Sequence, residues 1–190
     1  MEASTVPVKA PVERRPLAEV LPVGRDRTVA AVLGVALAAG SVVDFGLSGR
    51  ALVGVVLCPT LVLLSAIDIR HRLLPNAVIG PAILAVALIV AAADTARFLE
   101  HLYAALALFG FLFVFALAVP SGLGMGDAKL GFLLGIALGY RTLSAMLAAF
   151  AGSFVAALWI LFRGGLAARR QTFPFGPYLA AGGILAFFLG

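Results

Sequence analysis

The sequence predicts an all-α fold, a polytopic membrane bundle of six or seven transmembrane helices. Three observations lead there. Of the 190 residues, 63% are hydrophobic and only 12% charged, against roughly 45–50% apolar and about 25% charged in soluble domains. The apolar residues fall into seven runs, at 28–47, 51–67, 77–93, 102–120, 124–140, 142–163 and 176–190, and about 17–20 such residues cross a bilayer. The basic residues, finally, are distributed unequally among the connections between those runs.

Ahead of the first run, residues 1–27 mix Pro7, Pro11, Pro16 and Pro22 with charges of both signs. Such a stretch buries too little apolar area to offset its ordering entropy, so a disordered tail is expected. The first run contains small residues, Ala36 to Gly40, of the kind found at signal-peptide cleavage sites. Its long Pro-rich approach and the runs behind it read instead as an uncleaved helix. No later segment is long and polar enough for a second soluble domain, which makes 28–190 one transmembrane domain. The runs 124–140 and 176–190 are the marginal spans, and the turn at Tyr140-Arg141-Thr142 is tight. Hence six helices stand beside seven as the expected number.

Orientation follows from the loops. A cytoplasmic N-terminus puts 11 of the 14 basic residues inside and leaves only Arg50, Arg97 and Arg141 outside; the reverse orientation inverts the ratio. The net charge of +5 is thereby explained by topology, without a nucleic-acid partner. The single cysteine, Cys58, excludes an internal disulfide and any CxxC-type zinc site.

Two carboxylates then stand out. Asp68 closes the second run in Ala66-Ile67-Asp68-Ile69-Arg70, and Asp127 opens the fifth in Gly124-Met125-Gly126-Asp127-Ala128-Lys129. In this topology both lie at the cytoplasmic side. Ionisable groups at membrane depth are costly and mark function by default. Asp127 heads a stripe with Gly131, Gly135 and Gly139 at steps of four, one helix face, whose small residues admit a neighbouring helix. Asp68 shares a face with Cys58, Leu61 and Ser65. The plainer alternatives are a helix-capping role for Asp127 and, for Asp68, a solvated loop aspartate paired with Arg70 or Arg72. Together the two suggest a dyad. Like charges a few ångströms apart do not both ionise cheaply, so such a pair shares a proton. One member then takes a proton from water while the other polarises a carbonyl, which is general acid–base hydrolysis without a covalent intermediate. Gly124 and Gly126 suit this scheme, since glycine allows unusual dihedrals and close approach of a substrate strand. No Ser or Cys sits in a nucleophile motif, His71 and His101 fall in loops on opposite sides, and the ligands are too few for a metal. No cofactor is expected.

These residues also form a known pattern. Asp68-Ile69-Arg70 with Leu74-Pro75-Asn76 resembles the D-x-R…I-P-N signature of type IV prepilin peptidases. Gly124 to Leu130 resembles their G-x-G-D-x-K-L, and Pro174 to Ala180 the P-F-G-P-x-L-A that opens their last helix. The resemblance covers about residues 50–190. It implies an integral-membrane aspartyl endopeptidase of the inner membrane that removes the basic leader of prepilins or pseudopilins at the cytoplasmic face, with Asp68 and Asp127 catalytic. Lys129 would tune the dyad or hold the leader region, while Arg70, Pro75 and Asn76 shape the loop after Asp68. Leu74 replaces the usual isoleucine, and the paired CxxC motifs of the members that also N-methylate do not occur, so a peptidase-only short form is expected. Tail and first helix match no motif.

Two other readings compete. A small transporter would use Asp68 and Asp127 to relay protons or bind a cation, but the sequence has no convincing inverted repeat and that reading leaves Pro75-Asn76 and Phe175 to Leu179 unexplained. A protease cutting within the bilayer would need deeper aspartates. Oligomeric state is not encoded legibly.

Overall fold

The computed structural model describes residues 17–118, 123–164 and 174–190. The tail through residue 16 and the basic Arg169 and Arg170 lie outside the described residues. The tail boundary expected at residue 27 moves back: a helical turn, α1 (Leu17–Val20), is followed by α2 (Arg25–Phe45), whose first turn is held by an ion pair from Asp26 to Arg70. Next come α3 (Gly49–His71), α4 (Asn76–Ala93), α5 (Phe98–Ala118), α6 (Met125–Leu138), α7 (Thr142–Gly164) and α8 (Gly176–Leu189), with single 3-10 turns before α5 and α7. There is no strand among the described residues. An all-α membrane bundle is what the sequence predicted. Short connections make successive helices antiparallel, so the starts of α2, α4, α6 and α8 share one end of the bundle with the end of α3.

Five helical stretches are long and apolar enough to cross a bilayer: Arg25–Phe45, Gly49–His71, Asn76–Ala93, Thr95–Ala118, and Met125–Arg163, which joins α6 to α7. Taken alone, α6 and α8 have 14 residues each, or about 21 Å, short of the roughly 30 Å hydrocarbon core. The reason for α6 is burial. Ten of its 14 residues are buried, and α4, α5, α7 and α8 all pack on it, so it needs no lipid-spanning length. The glycine stripe explains how it fits. A Cβ on Gly131 would meet Leu108 and Leu112 of α5, and one on Gly135 would collide with the backbone of Ala105. Gly139 ends the helix at φ +57°, a conformation that side chains resist, and packs on His101.

The second central element is α3, with Leu57, Leu61, Leu64 and Ile67 fully enclosed. It runs one turn beyond the expected end at 67, because Ile69, Arg70 and His71 all tolerate helix. Arg72 then adopts the left-handed conformation (φ 51°) and its amide closes on the Asp68 carbonyl at 2.9 Å. Pro75, which disfavours helix for Leu74 before it, starts α4 as its N-cap. Asp68 therefore sits inside a helical turn and not at the head of a loop.

Candidate functional site

Asp68, from the last turn of α3, and Asp127, from the first turn of α6, both point into the same end of the bundle. Only 6% and 7% of their surfaces are exposed, and they lie within Coulombic reach of one another. Asp127 also caps its helix. One of its oxygens, Oδ2, accepts the Gly124 amide at 2.9 Å, and its own amide donates to the Gly124 carbonyl at 3.0 Å. Capping by Oδ2 leaves the other oxygen of the Asp127 carboxylate outside that hydrogen bond.

The surroundings of Asp68 are unusual. Its Oδ2 is buried without a hydrogen-bond partner, a state that costs free energy unless a proton or a donor is supplied. The amide of Gly176, at the start of α8, is directed at the carboxylate. So close is the approach that a Cβ on Gly176 would stand 2.6 Å from Oδ2. Arg72 lies within Coulombic reach of the same carboxylate. Arg70 does not serve it, contrary to the paired-loop alternative, because it turns to Asp26 of α2.

The two motif segments are fastened to each other. Lys129 Nζ donates to Asn76 Oδ1 at 2.7 Å, bridging the starts of α6 and α4. A Cβ on Gly126 would stand 2.7 Å from Cβ of Leu74, so glycine here lets the loop behind Asp68 close down on the helix of Asp127. Gly124 is different from the sequence expectation. Its backbone is extended (φ −94°, ψ 156°) and a Cβ would meet nothing closer than 3.5 Å, so its contribution is an amide donor that other residues also carry.

Asp68, Asp127, Gly124, Gly126, Lys129, Pro75 and Asn76 are thus brought together, and Arg70 is turned away. His101 is held by the Ile136 carbonyl at 2.7 Å at the opposite end, and no group of His, Cys and carboxylates able to hold a metal occurs among the described residues. Sequence reasoning missed Gly176 as a wall of the site, although it had singled out the Pro174 to Ala180 segment. Two carboxylates in such an enclosure are able to share a proton, activate water and polarise a carbonyl.

A model of the type IV leader peptidase family matches residues 55–161, more than half of the chain and a span that includes both aspartates. The chain belongs to the type IV leader peptidase family. Among curated proteins it is 36% identical over 164 residues to a prepilin leader peptidase/N-methyltransferase of Burkholderia pseudomallei, covering 82% of this chain and 52% of the relative. A Bacillus subtilis protein of the same name is 34% identical over 158 residues (81% and 62%), and one from Xanthomonas campestris pv. campestris 29% over 163 residues (81% and 55%). The chain spans about half to three-fifths of the length of these leader-peptidase relatives. No solved structure matches it. Gly176 lies beyond the residues that the leader peptidase model matches.

Proposed function

We propose that this chain is an aspartyl endopeptidase that removes the leader peptide of type IV prepilins or pseudopilins. The observation that carries the reading is the meeting of Asp68 and Asp127 at one end of a membrane bundle, with Asp68 Oδ2 buried and unpartnered. Family membership supports it, as does the peptidase named for each curated relative. In the first step the ionised carboxylate takes a proton from water as that water adds to the scissile carbonyl, and the protonated carboxylate donates to the developing oxyanion. A proton then passes to the leaving amine and the peptide bond breaks. The pair titrates as a unit, so acid and base are roles of the dyad and not of one residue. Lys129 and Asn76 position the two motif segments. The reading concerns leader cleavage only, because these 190 residues hold one cysteine and no paired CxxC motifs. The positive-inside bias, 11 basic residues to 3, supports a cytoplasmic N-terminus and a cytoplasmic dyad in the inner membrane.

The test is co-expression with a prepilin that carries its basic leader. Wild-type protein shortens the substrate by the leader length on a gel. An uncleaved substrate, across several pilin-like proteins and at normal membrane levels of the enzyme, rejects the proposal.

Gly176 offers a sharper check. In Gly176→Ala the new methyl meets a carboxylate and not backbone, so the fold survives and Asp68 rotates away. A displacement near 1 Å at a reacting group costs roughly 10²-fold in rate. We expect that loss with an unchanged unfolding midpoint, measured on the purified variant.

A further inference from the structure

At the end of the bundle opposite the aspartates, the start of α3, the end of α4, the start of α5, the turn after α6 and the end of α8 enclose a cavity of about 440 Å³, within the ~300–1,000 Å³ usual for ligand sites. The topology leaves three basic residues at this end: Arg50 in the first turn of α3, and Arg97 and Arg141 in the 3-10 turns before α5 and α7. All three line this single cavity. Here, at the end of a membrane protein that is poor in cations, they converge.

Arg50 already has a structural duty. Its guanidinium donates to the carbonyls of Phe187 at 2.6 Å and Gly190 at 3.0 Å, and lies 4.0 Å from the ring centre of Phe45. It thereby neutralises the carbonyl end of α8. Arg141 packs against Gly190 and is within Coulombic reach of Arg50. Asp94, Glu100 and His101 also line the cavity, yet among the described residues no ion pair joins either acid to an arginine. His101 uses Nδ1 on the Ile136 carbonyl. Neighbouring guanidinium groups repel one another, and an anion between them removes that repulsion. Planar, bidentate arginine donors match phosphate oxygens.

We propose that this cavity is a phosphate-binding site, with Arg97 and Arg141 as the binding side chains and Arg50 as a fixed background charge. The phosphate is that of a phospholipid headgroup at the membrane surface or of a free anion, and the experiment separates the two. Full-length protein in a phosphate-free maltoside detergent is heated with a thiol-reactive dye, which reports unfolding through Cys58, fully buried in the folded state. Phosphatidylglycerol, diacylglycerol (the same chains without phosphate) and inorganic phosphate are titrated separately. Phosphatidylglycerol is expected to raise the midpoint and diacylglycerol to leave it in place. A rise with inorganic phosphate as well assigns the free anion as sufficient, and no rise with it assigns the lipid headgroup. The Arg97→Gln/Arg141→Gln double variant is expected to lose the rise. The Arg25→Gln/Arg27→Gln variant, with the same charge change at the other end, is expected to keep it. Should the double variant not fold, Arg97→Gln alone, an exposed position, is expected to need at least about tenfold more ligand for half the shift. The proposal is overturned if neither phosphate compound shifts the wild type, if diacylglycerol shifts it equally, or if the arginine variants respond as the wild type does.

Discussion

Asparagine at position 68 or at position 127 is expected to lower leader cleavage at least about 10³-fold, since removal of a general acid or base forfeits roughly 10²–10⁴ and either change removes the shared proton as well. The substitution keeps the side chain's shape. At Asp127 the remaining amide oxygen still accepts from the Gly124 amide, so the α6 cap persists. At Asp68 the amide puts a neutral group in place of an ionisable one at a buried position whose Oδ2 has no partner. Both variants should therefore reach the membrane at wild-type levels, and Asp68→Asn should unfold no earlier than the wild type. A stability assay beside the cleavage assay separates loss of chemistry from loss of fold. Because the groups act together, the double variant is expected to be no worse than either single one.

The second large effect is structural. Gly135→Ala should destabilise the protein by about 1–3 kcal/mol, the usual cost of overpacking, despite the gain near 1 kcal/mol that alanine brings to a helix. The added Cβ meets the backbone of Ala104 and Ala105, and backbone, unlike the Asp68 carboxylate beside Gly176, has no rotamer to move to. α5 and α6 must separate, which opens the contact that sets α6 at the centre of the bundle. Gly135→Leu should prevent accumulation of folded protein altogether. Gly110→Ala is the control: a Cβ there meets nothing within 4 Å, so its midpoint should stay or rise slightly. The dye reaction of Cys58 on heating measures all three.

The bundle was legible in the sequence because lipid imposes a length and a composition on each helix, and those do not depend on neighbours. The aspartates were legible for a related reason, that a carboxylate at membrane depth needs explaining. The glycine stripe of α6 was readable as a packing face from its period of four, though not its partner, Ala105. What the sequence concealed were contacts between distant segments. Gly176 meets Asp68, Gly126 meets Leu74, and Lys129 meets Asn76 only once α3, α4, α6 and α8 have assembled. Arg70 stands beside Asp68 in sequence and suggested a local pairing, yet helical geometry turns it about 200° away, towards Asp26. The length of α3 was misjudged because a polar pair, Arg70-His71, looks like a loop while having adequate helix propensity. Gly124 was credited with a special backbone that its φ of −94° does not require. The three arginines of the opposite cavity belong to three different turns, and only their convergence in space makes them a group.

The claim that Asp68 and Asp127 share one proton is tested most directly by the rate of leader removal from a purified prepilin across the pH range. Wild type and the two asparagine variants would be compared in the same detergent. A dyad that works half-protonated loses activity towards acid, where both carboxyls are protonated, and towards alkali, where both are ionised. The wild-type profile is therefore expected to be bell-shaped, and each variant inactive at every pH. A wild-type rate that is flat with pH, or an asparagine variant that cleaves near the wild-type rate anywhere along the profile, would contradict the dyad.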